Sequence, residues 1–334
     1  MPSFERPRIG VVGVGSLGRH HARILAELEG VTMAGVHDAD GTRAEDVGRE
    51  FGVAVHATLD ALLDASDAVV VAVPTTAHEQ VAVAALDAGR AVLVEKPLAP
   101  DVAAADRILA AARRGGGLVQ TGHSERFNAA VVAAEAYLDR PLFVESHRMA
   151  PFSPRSTDVA VVLDLMIHDV DLVMSLVGTP LQDLAASGVP VLTPNVDIAN
   201  ARLAFEGGAV ANLTASRVSL EKMRKIRIFQ RSGYLSLNLA TGSGEFLRLK
   251  TGLPALEGEG GRGLSAADLS EIVERVPLSG DGQEPLRREL ENFRDALRGV
   301  AEPVVTGDAG RAALKVALAI QERIETHVSD TRPA

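Results

Sequence analysis

Cysteine is absent from the 334 residues. That excludes disulfides, thiolate nucleophiles and thiolate metal ligands together, and it fits a reducing compartment. Tryptophan is absent too. No apolar run approaches the roughly 18 residues that a membrane span needs. The polar start, Met1 to Arg8, lacks the long apolar core of a secretory leader. These absences point to the cytoplasm, with no membrane partner. An excess of positive charge is lacking as well. The net charge is −10, and such a surface repels phosphate backbones, so nucleic acid is not an expected partner. No internal repeat or low-complexity tract is visible. Histidine and acidic residues show no convincing metal spacing: Asp164 and His168 could be two ligands, but a third is not evident, so no metal is expected. What remains is ample core material. The apolar fraction is 46%, the mean hydropathy is +0.12, and the length suits two domains.

The first third alternates short apolar runs with helical patterns. Residues 8–12, 31–36, 53–55, 68–73, 91–94 and 118–120 read as six strands. Strands apolar throughout and separated by helices predict a parallel sheet covered on both faces, a doubly wound Rossmann domain over residues 1–124. From about residue 195 the period changes to two. Ala209, Ala211, Leu213 and Ala215 alternate with polar residues, as do Leu235, Leu237 and Leu239. This predicts an α/β domain over 125–334 with a large, mostly antiparallel sheet. The Gly-rich residues 252–284 read as a long loop, and two helices near 286–297 and 309–324 close the chain.

Gly13-Val14-Gly15-Ser16-Leu17-Gly18 lies between the first strand and a helix. The first glycine allows a tight turn, the second lets backbone approach a pyrophosphate, and the third lets helix and strand pack closely. The helix N-terminus offers N–H groups and a positive dipole end to the phosphates. Asp38 ends the second strand twenty residues after Gly18, where a ribose-binding acid belongs. Its charge would repel a 2′-phosphate, and Arg43 is the one nearby cation that could favour NADP. NAD is therefore expected over NADP.

Glu95-Lys96-Pro97 follows the fifth predicted strand, at the end facing the cofactor crevice. By itself Lys96 reads equally as a solvated loop lysine. Asp164 and His168 are spaced i, i+4 in an apolar stretch and share one side of a helix. They form either a buried pair satisfying its own hydrogen bonds, or a general base oriented by a carboxylate. The basic run Lys222, Arg224, Lys225 and Arg227 reads as a solvated sheet edge. His20 and His21 read as structural or exposed. His78 and His123 are candidates to line the crevice.

The ordered set of these motifs resembles the Gfo/Idh/MocA family, named for glucose–fructose oxidoreductase and inositol dehydrogenase. The likeness covers the whole chain and includes Pro74-Thr75-Thr76-Ala77-His78 and Arg126-Phe127-Asn128. It implies a catalytic Lys96, a substrate-side pair Asp164 and His168, a cis Lys96-Pro97 bond, and a dimer or tetramer formed through the second domain. It also implies that Pro74, Thr75, His78 and Glu95 join Gly13, Gly15, Ser16, Leu17, Gly18, Asp38 and Lys96 around the cofactor. Arg126 and Asn128 would then face the substrate. The stretch from Pro151 to Asp169 is similar to a branch of UDP-N-acetylglucosamine 3-dehydrogenases. Arg148 and Arg155 would suit that substrate's diphosphate, or be merely solvated. The implied reaction is oxidation of a sugar secondary alcohol to a ketone. An inositol or free-sugar dehydrogenase is the alternative, and a catalytically inactive dinucleotide-binding module is another.

Overall fold

The computed structural model describes residues 4–153, 160–250 and 272–330. The chain divides into two compact units, the first comprising residues 1–127 and 284–319 and the second 128–283 and 320–334.

The first unit carries a five-stranded parallel sheet. In chain order the strands are β1 (Arg8–Val12), β2 (Thr32–His37), β3 (Ala68–Val71), β4 (Ala91–Glu95) and β5 (Val119–Gly122). Helices α1 (Ser16–Glu27), α2 (Gly41–Phe51), α3 (Leu59–Ala65), α4 (His78–Asp87) and α5 (Val102–Gly115) alternate with them. Every residue of β3, β4 and β5 is buried, as helices on both faces require. Three of these helices start where a short polar side chain accepts a backbone N–H: Asp40 from Arg43, Thr58 from Ala61 and Asp101 from Ala104. The spatial order is β2-β1-β3-β4-β5. The order reverses between β1 and β3, and at such a switch point the carboxyl ends of the strands open a crevice.

Five strands form where six were expected. Val53-Ala54-Val55 makes only an isolated bridge, Val55 to Val36. The run is too short to build a ladder, and Val55 is exposed. The predicted boundary also changes. The closing helices were assigned to the second domain, but α8 (Pro285–Leu297) and the first half of α9 (Gly307–Asp330) belong to the first unit. The reason is apolar burial. Leu286, Leu290, Phe293 and Leu297 pack into one core with Ile24, Leu25 and Val31. Arg23–Glu284 and Arg287–Glu27 ion pairs, at 2.7 and 2.8 Å, flank that contact.

The second unit holds an eight-stranded sheet. Its strands are β6 (Phe143–Met149), β7 (Leu181–Val189), β8 (Ile198–Phe205), β9 (Val210–Ser216), β10 (Met223–Gln230), β11 (Gly233–Asn238), β12 (Ser243–Leu249) and β13 (Val273–Ser279). The order is β13-β12-β11-β10-β6-β9-β8-β7, antiparallel except for the β6–β9 pair. The period-two pattern is present: Ala211, Leu213, Ala215, Leu235 and Leu237 are buried, while Val210, Asn212, Thr214, Tyr234, Ser236 and Asn238 are half-exposed. Helix α7 (Ile167–Val177) and the turn before it pack on β6 and β9.

Two expectations fail here. Residues 273–279, read as loop, form β13, because Val273, Val276 and Leu278 pair along β12. The part of that loop at 252–271 lies outside the described residues. The basic run is not a sheet edge either. Strand β10 lies between β6 and β11, and Arg227 is paired with Glu145 on β6.

Candidate active site

The turn after β1 meets the steric demands of its glycines. Gly13 has a φ of +83°, and a Cβ there would lie 2.8 Å from the Ala72 carbonyl oxygen and the Val73 nitrogen. At Gly18 a Cβ would come within 1.8 Å of the Gly13 oxygen. At Gly15 nothing stands within 4 Å, so its missing side chain leaves room for something other than protein. Ser16 opens α1, whose first turn has no side-chain cap, so its N–H groups remain available to an anion. Leu17 is exposed beside it.

A cavity of about 530 Å³ opens at this switch point. Gly13, Gly15, Asp38 and Pro74 line it, together with Leu59 and Val81, which the sequence reading missed. Asp38 accepts the Val14 N–H at 2.7 Å and the Asp40 N–H at 2.9 Å. Arg43 approaches it at 3.3 Å and also faces Asp40. The space, the apolar wall and a fixed carboxylate at the end of β2 fit the adenosine half of a dinucleotide.

Thr75 starts the short turn Thr75–Ala77 and is half-buried. His78 departs from its expected role. Its ring is 1% exposed, and its nitrogens face the Val73 and Pro97 carbonyl oxygens at 2.9 Å each. Burial holds this imidazole below the usual histidine range. A neutral ring donates to only one of the two carbonyls. His78 therefore braces the loops after β3 and β4 instead of reaching a ligand.

Lys96 follows β4, is half-buried, and precedes Pro97 through the expected cis bond. Its neighbour Glu95 does not open toward a cofactor. The Glu95 carboxylate is buried, lies 2.6 Å from His21 Nε2, and accepts the Lys96 N–H at 3.2 Å. His21 is fully buried on α1, whereas His20 is exposed. Spacing could have shown this, since His21 shares a helix face with Leu25 and Leu28.

In the second unit, Asp164 lies in a π-turn, Val162–Met166, and His168 in the first turn of α7. Both are half-buried. The wide i→i+5 turn keeps residues four apart on one side, and such turns recur at functional sites. The turn thus presents an acid and an imidazole together from an otherwise apolar segment.

Three substrate candidates fare differently. Arg148 is 3% exposed and bonds Asp169 through Nε at 2.8 Å and Nη2 at 3.1 Å. This buried fork anchors α7 to β6, so Arg148 is not a diphosphate ligand. Asn128 caps α6 (Ala129–Ala134), accepting the Ala130 N–H, and donates to the Leu239 carbonyl. It too is structural. Arg126 is half-buried in the Ser124–Phe127 turn of the first unit. Arg155 lies outside the described residues.

Residues 7–123 match the Gfo/Idh/MocA oxidoreductase family with an NAD-binding Rossmann fold, and residues 130–236 match that family's C-terminal domain. A UDP-N-acetylglucosamine 3-dehydrogenase from Acidithiobacillus ferrooxidans is 35% identical over 320 residues, 95% of this chain and 97% of that protein. A solved structure of the enzyme of that name from the same organism has a TM-score of 0.87 at 34% identity, covering 97% of this chain and 99% of that one. Inositol 2-dehydrogenase 2 from Saccharopolyspora erythraea is 39% identical over 181 residues, 51% of this chain and 53% of that protein. With both halves of the chain matched and the dinucleotide cleft in place, the protein belongs to the Gfo/Idh/MocA family and is an NAD-dependent dehydrogenase.

Proposed function

We propose that the protein oxidises a secondary alcohol of a nucleotide sugar to the ketone, with C3 of UDP-N-acetylglucosamine as the first candidate. The observation that carries this is the extent of the likeness. The UDP-N-acetylglucosamine enzyme matches along 95% of the chain, whereas the inositol enzyme matches along 51%. A cyclitol or free sugar is the second reading, favoured by the 39% identity within the shorter match.

Gly13, Gly15, Ser16, Leu17 and Gly18 are the residues to hold the pyrophosphate, and Asp38 the adenosine ribose. Pro74 and Thr75 flank the cofactor from the loop after β3. Bound NAD supplies the acceptor for the hydride leaving the substrate carbon. His168 takes the hydroxyl proton, and Asp164 orients the imidazole and favours its charged form. Lys96 donates to the same oxygen and stabilises developing alkoxide charge. The roles of Lys96 and His168 are exchangeable. Arg126 is a further group for the substrate.

Incubating the enzyme with NAD and a panel of UDP-N-acetylglucosamine, free N-acetylglucosamine and myo-inositol, and following NADH absorbance, tests the substrate class. Turnover confined to myo-inositol rejects the nucleotide sugar. NADH binding with no turnover across the panel returns the inactive module.

Asp38→Ala should weaken NAD binding and relax discrimination against NADP, because an acceptor and a negative charge leave together. Arg43, released from Asp38, then faces the 2′-phosphate position. Dissociation constants for both cofactors settle it, and a wild type that already prefers NADP contradicts the assignment.

The chain is further proposed to act in the cytoplasm as a homodimer or homotetramer. Among the described residues no helix is long and apolar enough to cross a membrane. The half-exposed face of the eight-stranded sheet is the proposed contact. Light scattering at micromolar concentration should give a multiple of the 35.0 kDa chain mass, and a monomeric mass refutes the assembly.

A further inference from the structure

Beneath Lys96 lies a polar cluster that the proposed chemistry does not use. His21 on α1, Glu95 at the end of β4, Gln120 on β5 and Glu289 on α8 are all buried, and Glu289 is 0% exposed. One ligand-type atom each from His21, Glu95 and Glu289 lies within 4.8 Å of the others. Gln120 Nε2 donates to the Glu289 carbonyl at 3.2 Å, which ties this turn of α8 to the sheet. Gly122 makes the room: a Cβ there would stand 2.9 Å from Glu95 Oε2.

Two carboxylates this close in dry surroundings cannot both carry charge. The hydrogen bonds decide which one does. Glu95 receives the Lys96 N–H on one oxygen and faces His21 Nε2 on the other, so its anion has two donors. Neither oxygen of Glu289 has a hydrogen-bond partner among the described residues. The proton therefore resides on Glu289. Burial first, and the charge of Glu95 second, push this carboxyl well above the usual carboxylate range. On the other side of the pair, His21 Nδ1 is buried with no hydrogen-bond partner among the described residues, so Nε2 is the nitrogen that His21 turns to Glu95.

A bound metal is the rival occupant of three such groups. The His21–Glu95 separation of 2.6 Å argues against it. Two ligands on one tetrahedral zinc, each about 2.0–2.1 Å from the ion, stand about 3.3 Å apart.

We propose that Glu289 is a positioning residue: as a neutral carboxylic acid it leaves Glu95 the single anion under the Lys96 backbone, and Glu95 thereby sets where Lys96 is held. The proposal rests on the reading of Lys96 as a catalytic group. Of the titratable groups on elements packed against α8, Arg23 and Glu27 of α1 pair with Glu284 and Arg287. Glu125 and Arg126 lie in the 124–127 turn, and His21 and Glu95 face Glu289 directly. The charge acting on Glu289 is that of Glu95.

A raised folded-state pKa means that folding takes up a proton between the unfolded and folded values. Stability is then full below the ordinary glutamate value and falls as pH rises through the folded one. Glu289→Gln keeps the shape and the neutral charge. It should hold kcat near wild type and flatten that alkaline fall in urea-unfolding stability. Glu289→Ala should lower kcat of the folded enzyme on the order of 10²-fold, the cost of misplacing a group by about an ångström, with the KM for NAD unchanged. A normal kcat in the folded Ala variant overturns the proposal. So does a Gln variant as impaired as Ala, or a stoichiometric divalent metal in the wild type that the Ala variant lacks. Lys96→Ala is assayed beside them. Near-normal turnover there rejects the role of Lys96 itself, whereas an impaired Lys96→Ala with a normal Glu289→Ala rejects only the positioning.

Discussion

Lys96→Ala and His168→Ala each lower turnover by roughly 10²–10⁴, the usual range for losing a proton-transfer group. NAD affinity should change far less, because the residues proposed to carry cofactor recognition are Gly13–Gly18 and Asp38. Asp164→Asn keeps the fold and impairs the rate, since an amide cannot favour imidazolium as a carboxylate does. If Asp164 and His168 were only a structural pair, the variants would lose thermal stability while the folded fraction kept its specific activity. A melt and a rate measured on each of the three variants separate the two cases. Stable folding with near-normal turnover in His168→Ala rejects the mechanism.

Arg148→Ala has the opposite signature. Asp169 is 2% exposed, and the variant leaves its carboxylate buried without the guanidinium fork. Breaking one side of such a pair costs about 3–5 kcal/mol. Against a total stability of about 5–15 kcal/mol, that is a large share. Replacing both residues, as in Arg148→Met with Asp169→Leu, removes the stranded charge and recovers much of the loss. Urea unfolding of the single and double variants measures this. A stable Arg148→Ala with a raised KM for the sugar nucleotide would restore the substrate role that the structure denies.

The parts of this molecule legible in the sequence are those dictated by steric or periodic necessity. Gly13 and Gly18 stand where backbone crosses backbone, so no other residue fits, and their spacing announces the turn. Alternation at Ala211, Leu213 and Ala215 gives away a sheet with one buried face. The illegible parts depend on partners distant in the chain. Arg148 reads as a free cation until Asp169, 21 residues on, is brought onto it. Asn128 reads as a ligand until Leu239 supplies its acceptor. The basic residues of β10 resemble an edge because a strand's neighbours are a property of topology, not of local composition. Glu289 was hidden for the converse reason. It sits on the apolar stripe of α8 with Leu286, Leu290 and Phe293, and a charged residue there is the signal to follow.

The return of α8 to the first unit has a consequence for biosynthesis. The face of α1 that carries Ile24 and Leu25 is completed by Leu290 and Phe293, and residues 128–283 must leave the ribosome before those arrive. At about 5–20 residues per second, that apolar face waits on the order of ten seconds for its cover. During that interval it is a surface for a holding chaperone. A clone ended at residue 127 would keep that face open for good. Expressed alone, the dinucleotide-binding segment should therefore aggregate, and supplying residues 284–319 in trans or by circular permutation should rescue it.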